Sequence, residues 1–270
     1  MNVCQFRSRN MKPLRLLQIT DCHLGAEPGE KLLGLDTDQS LHDVLELVRH
    51  EQLDLIVCSG DITNEGGFSA YERYLAAVRR VFPSIPHAWL PGNHDDPFAM
   101  EQVKRLPIEN RFHLSNWNFI FLDSRIPMET GGEINPQEMQ RLQQELDTDP
   151  VSNTMIFMHH QPVRVGSRWL DEYLLRNSDE FFELIDQYSS VKAVAWGHVH
   201  QEFNAERNGV LLMSAPATSV QFAPNCDEFK VDNQMPGCRI LTLHPNGSIE
   251  SETRRVSERG YDIDFASGGY

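Results

Sequence analysis

In HAWLPGNHDD, residues 87–96, a short apolar run breaks at Pro91 and Gly92 and delivers Asn93, His94, Asp95 and Asp96 in succession. Four polar side chains at the end of a buried strand are either a solvated loop or part of a binding site. Other runs in the chain end the same way. LRLLQIT (14–20) leads into Asp21, Cys22 and His23, and LDLIVCSG (53–60) into Asp61. TMIFM (154–158) leads into His159 and His160, and VKAVAWG (191–197) into His198, Val199 and His200. Amphipathic segments at 40–52 and 71–82 separate the first three strands, so the chain begins βαβαβ. In open α/β sheets ligands bind outside the carboxyl ends of strands, which puts all five polar groups on one rim.

Further along, RFHLSN and WNFIFLDS (111–124) are strand-like with no helix between them, which predicts an antiparallel pair. A helix is expected over 136–146 and another over 179–188. RILTLHPNGSIESETRRV (239–256) reads as a hairpin around an Asn-Gly turn. Residues 1–12 read as a flexible lead-in, with no apolar stretch or cleavage site of a secretory signal. Residues 13–270 then form one domain, ending in the hairpin and an irregular tail.

A formal net charge of −15 speaks against general affinity for nucleic-acid backbones or anionic membranes. An anionic substrate would need local positive charge, which bound metal ions can supply. No run reaches the roughly 18 apolar residues of a membrane span. The five cysteines (Cys4, Cys22, Cys58, Cys226, Cys238) are scattered without CxxC spacing, as expected in a reducing cytoplasm.

Taken singly, each polar group has a plain explanation. Asp21 or Asp61 after a strand is commonly a helix N-cap, and a lone histidine is commonly a hydrogen-bonded one. Together, Asp21, His23, Asp61, Asn93, His159, His198 and His200 offer oxygen and imidazole donors without a thiolate. That mix suits manganese, iron or zinc, with a carboxylate able to bridge two ions. Side chains two apart in extended backbone point the same way, so Asp21 would join His23, and His198 would join His200, with Cys22 and Val199 turned away. Gly60, Gly92 and Gly197 each precede a proposed ligand and allow close backbone approach.

The blocks DCH, GD, GNHD, HH and GHVH resemble, in order, the signature of the calcineurin-like metallophosphoesterases. Within that superfamily the chain is most similar to bacterial class III cyclic-AMP phosphodiesterases, through LLQITDCHLGAEPGEKLLGLDT, LDLIVCSGDI, SRWLDEYLLRN, APATSVQFAPNC and the terminal SGGY. The resemblance implies an α/β fold, a four-layer αββα sandwich of two mixed β-sheets flanked by helices. It implies one metal on Asp21, His23, Asp61 and His200, and a second on Asp61, Asn93, His159 and His198, with Asp61 bridging. The phosphate would sit beside His23, Asp61, Asn93, His94 and His200. His160 is expected beside the ligands or on the substrate side. The implied cofactors are two divalent or trivalent ions, iron or manganese first, zinc or magnesium as alternatives.

The expected reaction is hydrolysis of 3′,5′-cyclic AMP to 5′-AMP by metal hydroxide. His94 is the expected catalytic residue, donating a proton to the leaving sugar oxygen or stabilising its charge, and Asp95 could orient its ring. Trp169 or Phe222 could stack on a purine, and Arg168 could contact phosphate or be a solvated charge. The alternatives are a broader phosphodiesterase, acting on glycerophosphodiesters, 2′,3′-cyclic nucleotides or phosphomonoesters, and a non-catalytic binding module.

Overall fold

A computed structural model describes residues 12–105, 110–257 and 260–269. The expected lead-in lies outside these residues except for Lys12.

The chain runs through strand β1 (Leu14–Ile19), a small ribbon of β2 (Lys31–Leu32) and β3 (Leu35–Asp36), helix α1 (Thr37–Leu47), β4 (Leu55–Cys58), α2 (Phe68–Val81), β5 (His87–Trp89) and α3 (Pro97–Lys104). There follow β6 (Arg111–Leu114), β7 (Trp117–Phe121), α4 (Pro136–Thr148), β8 (Asn153–Phe157), a single turn α5 (Arg168–Asp171) and α6 (Ser178–Ile185). The last strands are β9 (Val191–Trp196), β10 (Phe203–Arg207), β11 (Val210–Ser214), β12 (Gly237–Leu243) and β13 (Ile249–Arg255).

One sheet has the order β13-β12-β1-β4-β5 and the other β10-β11-β9-β8-β7-β6. In the first, β1, β4 and β5 are parallel, while β12 is antiparallel to both β1 and β13. In the second, β11, β9, β8 and β7 are parallel, and the outer strands β10 and β6 pair antiparallel. Both sheets are therefore mixed.

Alternation along the strands gives each sheet two apolar faces, as sheets covered on both sides require. Leu16, Leu55, Val57, Trp117, Phe119, Phe157, Ala193 and Leu241 form the layer between the sheets. Leu17, Ile19, Ile56 and Trp89 pack outward against Leu41, Val44 and Leu45 of α1 and Tyr71, Tyr74 and Val78 of α2. On the far side Ile120, Ile156, Val194 and Trp196 pack against Leu142 and Leu146 of α4 and Phe181 and Ile185 of α6. The order is helix, sheet, sheet, helix.

The βαβαβ start, the antiparallel pair at 111–124 and the hairpin at 239–256 match the expectations. Helix α1 begins earlier than the periodicity implies, because the Asp36 carboxylate caps it by accepting from Gln39 N at 2.9 Å. Helix α3 was not anticipated, although Asp96 caps it and Pro97 occupies its first turn. The β2–β3 ribbon and the one-turn α5 are too short to carry a periodicity. Residues 260–269 contain no helix or strand, in line with an irregular tail.

Candidate metal centre and adjoining cleft

The five polar groups lie just past the carboxyl ends of β1, β4, β5, β8 and β9, three from one sheet and two from the other. The loops after β1 and β4 are laced together: Asp21 N, His23 N and Leu24 N donate to Gly60 O, Asp61 O and Ile62 O, each at 3.0 Å. The Asp21 carboxylate accepts from His198 N at 3.0 Å, which ties the two sheets across the site. Asp61 Oδ1 accepts from His94 N at 2.9 Å. Neither aspartate is a helix cap.

The backbone here departs from the extended course expected. Asp21 (φ 52°), His23 (φ 47°), Asp61 (φ 50°), His198 (φ 66°) and His200 (φ 47°) are all left-handed. Such a conformation costs a non-glycine residue roughly 1–2 kcal/mol, and its concentration at functional sites is where stored strain is expected. The outcome for the side chains is nevertheless the expected one. Cys22 and Val199 turn into separate cores, while Asp21, His23, His198 and His200 face the centre. The flanking glycines are needed for close approach: a Cβ would strike His159 at Gly60 (φ 101°), Asp61 at Gly92 and Thr20 at Gly197.

Donor atoms of Asp21, His23 and His200 lie within 4.8 Å of one another, as do those of Asp21, Asp61 and His159, of His23, Asp61 and His94, and of His159, His160 and His198. The shared members join these groups into one cluster, and Asn93 and His94 line the cleft beside it. All the residues named as ligands are buried except Asn93, which is half-buried.

The hydrogen bonds fit this donor set to cations. His23 Nδ1 bonds Asn64 Oδ1 at 3.3 Å, His159 Nδ1 donates to Ser59 O at 2.8 Å and His200 Nδ1 donates to Val220 O at 2.8 Å. Each ring thereby presents the lone pair of Nε2 inward. The Nε2 atoms of His23 and His200 face each other at 3.1 Å. Two lone pairs at that distance repel unless a positive charge lies between or beside them. His198 Nε2 and Asn93 Oδ1 are buried without a protein hydrogen-bond partner, and His159 Nε2 faces only the Asp61 carboxylate at 3.0 Å, a costly arrangement for a site never filled.

Burial, with Asp61 opposing it, brings His23 down to about 3, and burial together with His160 and His159 holds His198 well below the ordinary histidine range. Both are in the neutral form that metal ligation needs. Burial works against ionisation of Asp21 and Asp61, but His200 beside the first and His159 beside the second prevail, and both carboxylates stay charged. Burial also opposes protonation of His159, yet Asp61 at 3.0 Å pushes it up to about 9. A proton there does the work a cation would otherwise do.

The role of Asp95 differs from expectation, while Arg168 takes the solvated alternative and His160 lies beside the ligands as expected. The Asp95 carboxylate serves a different contact from the one expected. It accepts from Gly92 N (2.9 Å), Ile62 N (3.1 Å), Thr63 N (3.2 Å) and Tyr71 Oη (3.0 Å), which clamps the loop after β5 to the loop after β4. The imidazole of His94 is oriented by the Asn64 carbonyl, to which Nδ1 donates at 2.8 Å. Arg168 is exposed, with its guanidinium 3.9 Å from Asp227, and does not line the cleft. His160 is buried beside the cluster, bonded through Nδ1 to Ser124 Oγ (2.8 Å) and through Nε2 to Thr130 O (3.0 Å).

Asp61, Asn93, His94 and His198 form the polar part of a cleft of about 310 Å³ whose other walls include Trp169, Tyr173, Phe222 and Phe229. Phe222 stacks on His200 with ring centroids 4.1 Å apart, and Trp169 meets both Phe222 and Phe229 edge-on at 5.2 Å. Among the described residues that line the cleft there is no lysine or arginine. Positive charge for an anion must come from histidines or bound cations. Tyr173, Phe229 and Thr130 escaped the sequence reading because they sit on irregular loops with no period or spacing to mark them.

Residues 14–202 match the family model for calcineurin-like phosphoesterase, and the chain belongs to that family. It is 36% identical over 266 residues to 3′,5′-cyclic adenosine monophosphate phosphodiesterase CpdA of Vibrio vulnificus, covering 95% of each chain, and 36% identical over 261 residues to that of Pseudomonas aeruginosa, covering 94% of each. In fold it is similar to a dimetal phosphatase from Danio rerio, with a TM-score of 0.60, 17% identity and coverage of 92% of this chain and 100% of the other.

Proposed function

We propose that the chain hydrolyses 3′,5′-cyclic AMP to 5′-AMP. Asp21, His23, Asp61 and His200 would hold one metal ion, and Asp61, Asn93, His159 and His198 the other, with Asp61 as the bridge. The observation that carries this reading is the convergence of inward imidazole lone pairs and ionised carboxylates on the floor of an aromatic-walled cleft. Its similarity to the CpdA enzymes over nearly the whole chain supports the substrate. The nitrogen and oxygen donors, without a thiolate, suit iron, manganese or zinc, and the family resemblance puts iron or manganese first.

Bound ions supply Lewis-acid charge at phosphorus and an activated water. The chain's own residues do the rest. The cleft admits the nucleotide with the purine against Trp169, Phe222 and Phe229 and the phosphate toward His23, Asp61, Asn93, His94 and His200. As the water oxygen adds to phosphorus, its proton passing to solvent, and the bond to O3′ breaks, Nε2–H of His94 donates a proton to O3′, and the ring regains one from solvent. Its Nδ1, held by Asn64 O, keeps the ring turned for that transfer. His160 fixes the wall carrying Thr130 beside the ligands.

Residues 13–270 act as one catalytic domain in this reading, supported by the pairing of the C-terminal strand β12 with β1 at the centre of the first sheet. Cytoplasmic residence is part of the same proposal, supported by the free cysteines Cys22, Cys58, Cys226 and Cys238. Among the described residues, no helix is long and apolar enough to cross a membrane.

The test is cyclic-AMP hydrolysis after chelation and readdition of iron, manganese, magnesium or zinc, with the product identified by chromatography. Activity should vanish on chelation and return with iron or manganese as 5′-AMP. Undiminished activity in metal-free protein would refute the metal assignment. Tight cyclic-AMP binding without turnover under every metal would refute catalysis and favour a binding module.

A further inference from the structure

The cleft also has a lining element that no part of the reaction above uses. Gly269, near the end of the chain, lines it together with Trp169, Tyr173, Phe222 and Phe229. We infer that the segment 260–269 is a specificity-determining element that contacts the nucleoside part of the substrate, a deepening that rests on the cyclic-nucleotide reading.

The segment is tied down in several ways. Tyr261 Oη donates to Asp43 Oδ2 of α1 at 2.7 Å, and Asp264 N donates to Leu33 O, in the turn of the β2–β3 ribbon, at 2.8 Å. Ile263 is buried in the same apolar cluster as Leu32, Leu35 and Phe222. The approach to the ribbon is so close that a Cβ at Gly34 would collide with the Asp262 carbonyl. That ribbon lies between the DCH loop and α1, so the tail is moored to the element that follows the first metal-binding block.

From the last mooring at Asp264 only five further residues lead to Gly269, a span of at most about 18 Å. Local bonds fold this stretch further, with Ala266 N donating to Asp264 Oδ1 at 3.0 Å and Ser267 Oγ to Gly269 O at 2.8 Å. The exposed end of the segment reaches the cleft at Gly269.

The residues that arrive there are small. A Cβ placed at Gly268 or Gly269 would meet no other atom of the protein within 4 Å. Packing does not call for glycine at either position, although the backbone of Gly269 (φ 157°) does. Bare backbone beside a cleft leaves room for a ligand and offers amide and carbonyl groups to it. The charged end of the substrate has its partners at the metal centre, so these uncharged groups suit the ribose hydroxyl and the edge of the base.

Hydrogen exchange on the intact, metal-loaded protein tests this directly. The product 5′-AMP should slow exchange across residues 264–269 by about fivefold or more, while inorganic phosphate should leave it unchanged. Equal exchange with the two ligands would overturn the inference. In kinetics, deletion of residues 266–270 should raise KM for cyclic AMP about fivefold or more and leave kcat/KM for bis(p-nitrophenyl) phosphate, which has no nucleoside, within about twofold. If the full chain turns over cyclic AMP and the deletion leaves its KM unchanged, the tail assignment fails and the substrate reading stands. If the full chain hydrolyses bis(p-nitrophenyl) phosphate but not cyclic AMP, both fail.

Discussion

At the scale of single residues, neighbours in GNHD do different things. Asn93 ends in a buried amide oxygen without a protein partner, whereas His94 is fixed through Nδ1 to Asn64 O and lines the cleft. Asn93→Ala should therefore lower the metal content by one of the two ions, measured by elemental analysis of purified protein. His94→Ala should keep both ions and lose about 100- to 10,000-fold in single-turnover rate, the usual range for a lost proton donor. Equal metal loss in both variants would remove the division of roles. Residue identity made this corner legible, because Asn and His after a Pro-Gly turn have few structural uses. The partner of His94 was not legible, because a backbone carbonyl has no letter of its own. Asp95, adjacent in sequence, looked like that partner and is engaged elsewhere.

Loops and strands raise a different question, since five residues in strained backbone must be held by their surroundings. Tyr71 of α2 is one such support: its hydroxyl donates to Asp95 Oδ1 and accepts from Asp96 N at 2.7 Å. Tyr71→Phe removes one of several hydrogen bonds to the buried Asp95 carboxylate and the one to Asp96 N, and should cost about 1 kcal/mol, read by denaturant unfolding. A loss below a few tenths would mean the loop does not depend on it. The half-buried His87 of β5 sets a pH dependence far from the metal centre. Burial, aided by Lys104 and Arg79, lowers it to about 3, and Tyr74 Oη lies 2.8 Å from Nε2. The unfolded chain then binds more protons than the folded one between about pH 3 and 6.5, so this contribution is present above pH 6.5 and is lost as pH falls through that window. His87→Gln should flatten the rise of unfolding free energy with pH there, by up to about one proton in slope. An unchanged slope would show that His87 titrates normally. Periodicity revealed β1, β4, β5 and their helices; it could not reveal the left-handed turns, which depend on contacts between loops rather than on a repeating pattern.

For the whole molecule, the metal ions and the fold are coupled. The two buried aspartates and the facing His23 and His200 lone pairs lose compensation when cations leave, so chelation should lower Tm by several degrees as well as abolish turnover. An unchanged Tm would show that the donors relax without strain. The net charge of −15 and a cleft without lysine or arginine among its described residues agree in leaving the attraction of phosphate to the metal centre. By itself the sequence determined which residue types follow each strand, and those types fixed the chemistry, because imidazole, carboxylate and amide donors are properties of side chains. Only the tertiary structure decided which donors share a centre, which carbonyl aims each ring, and that a tail some 70 residues from Gly197 borders the cleft. Such relations arise where separated segments pack, and no local pattern in the chain records that packing.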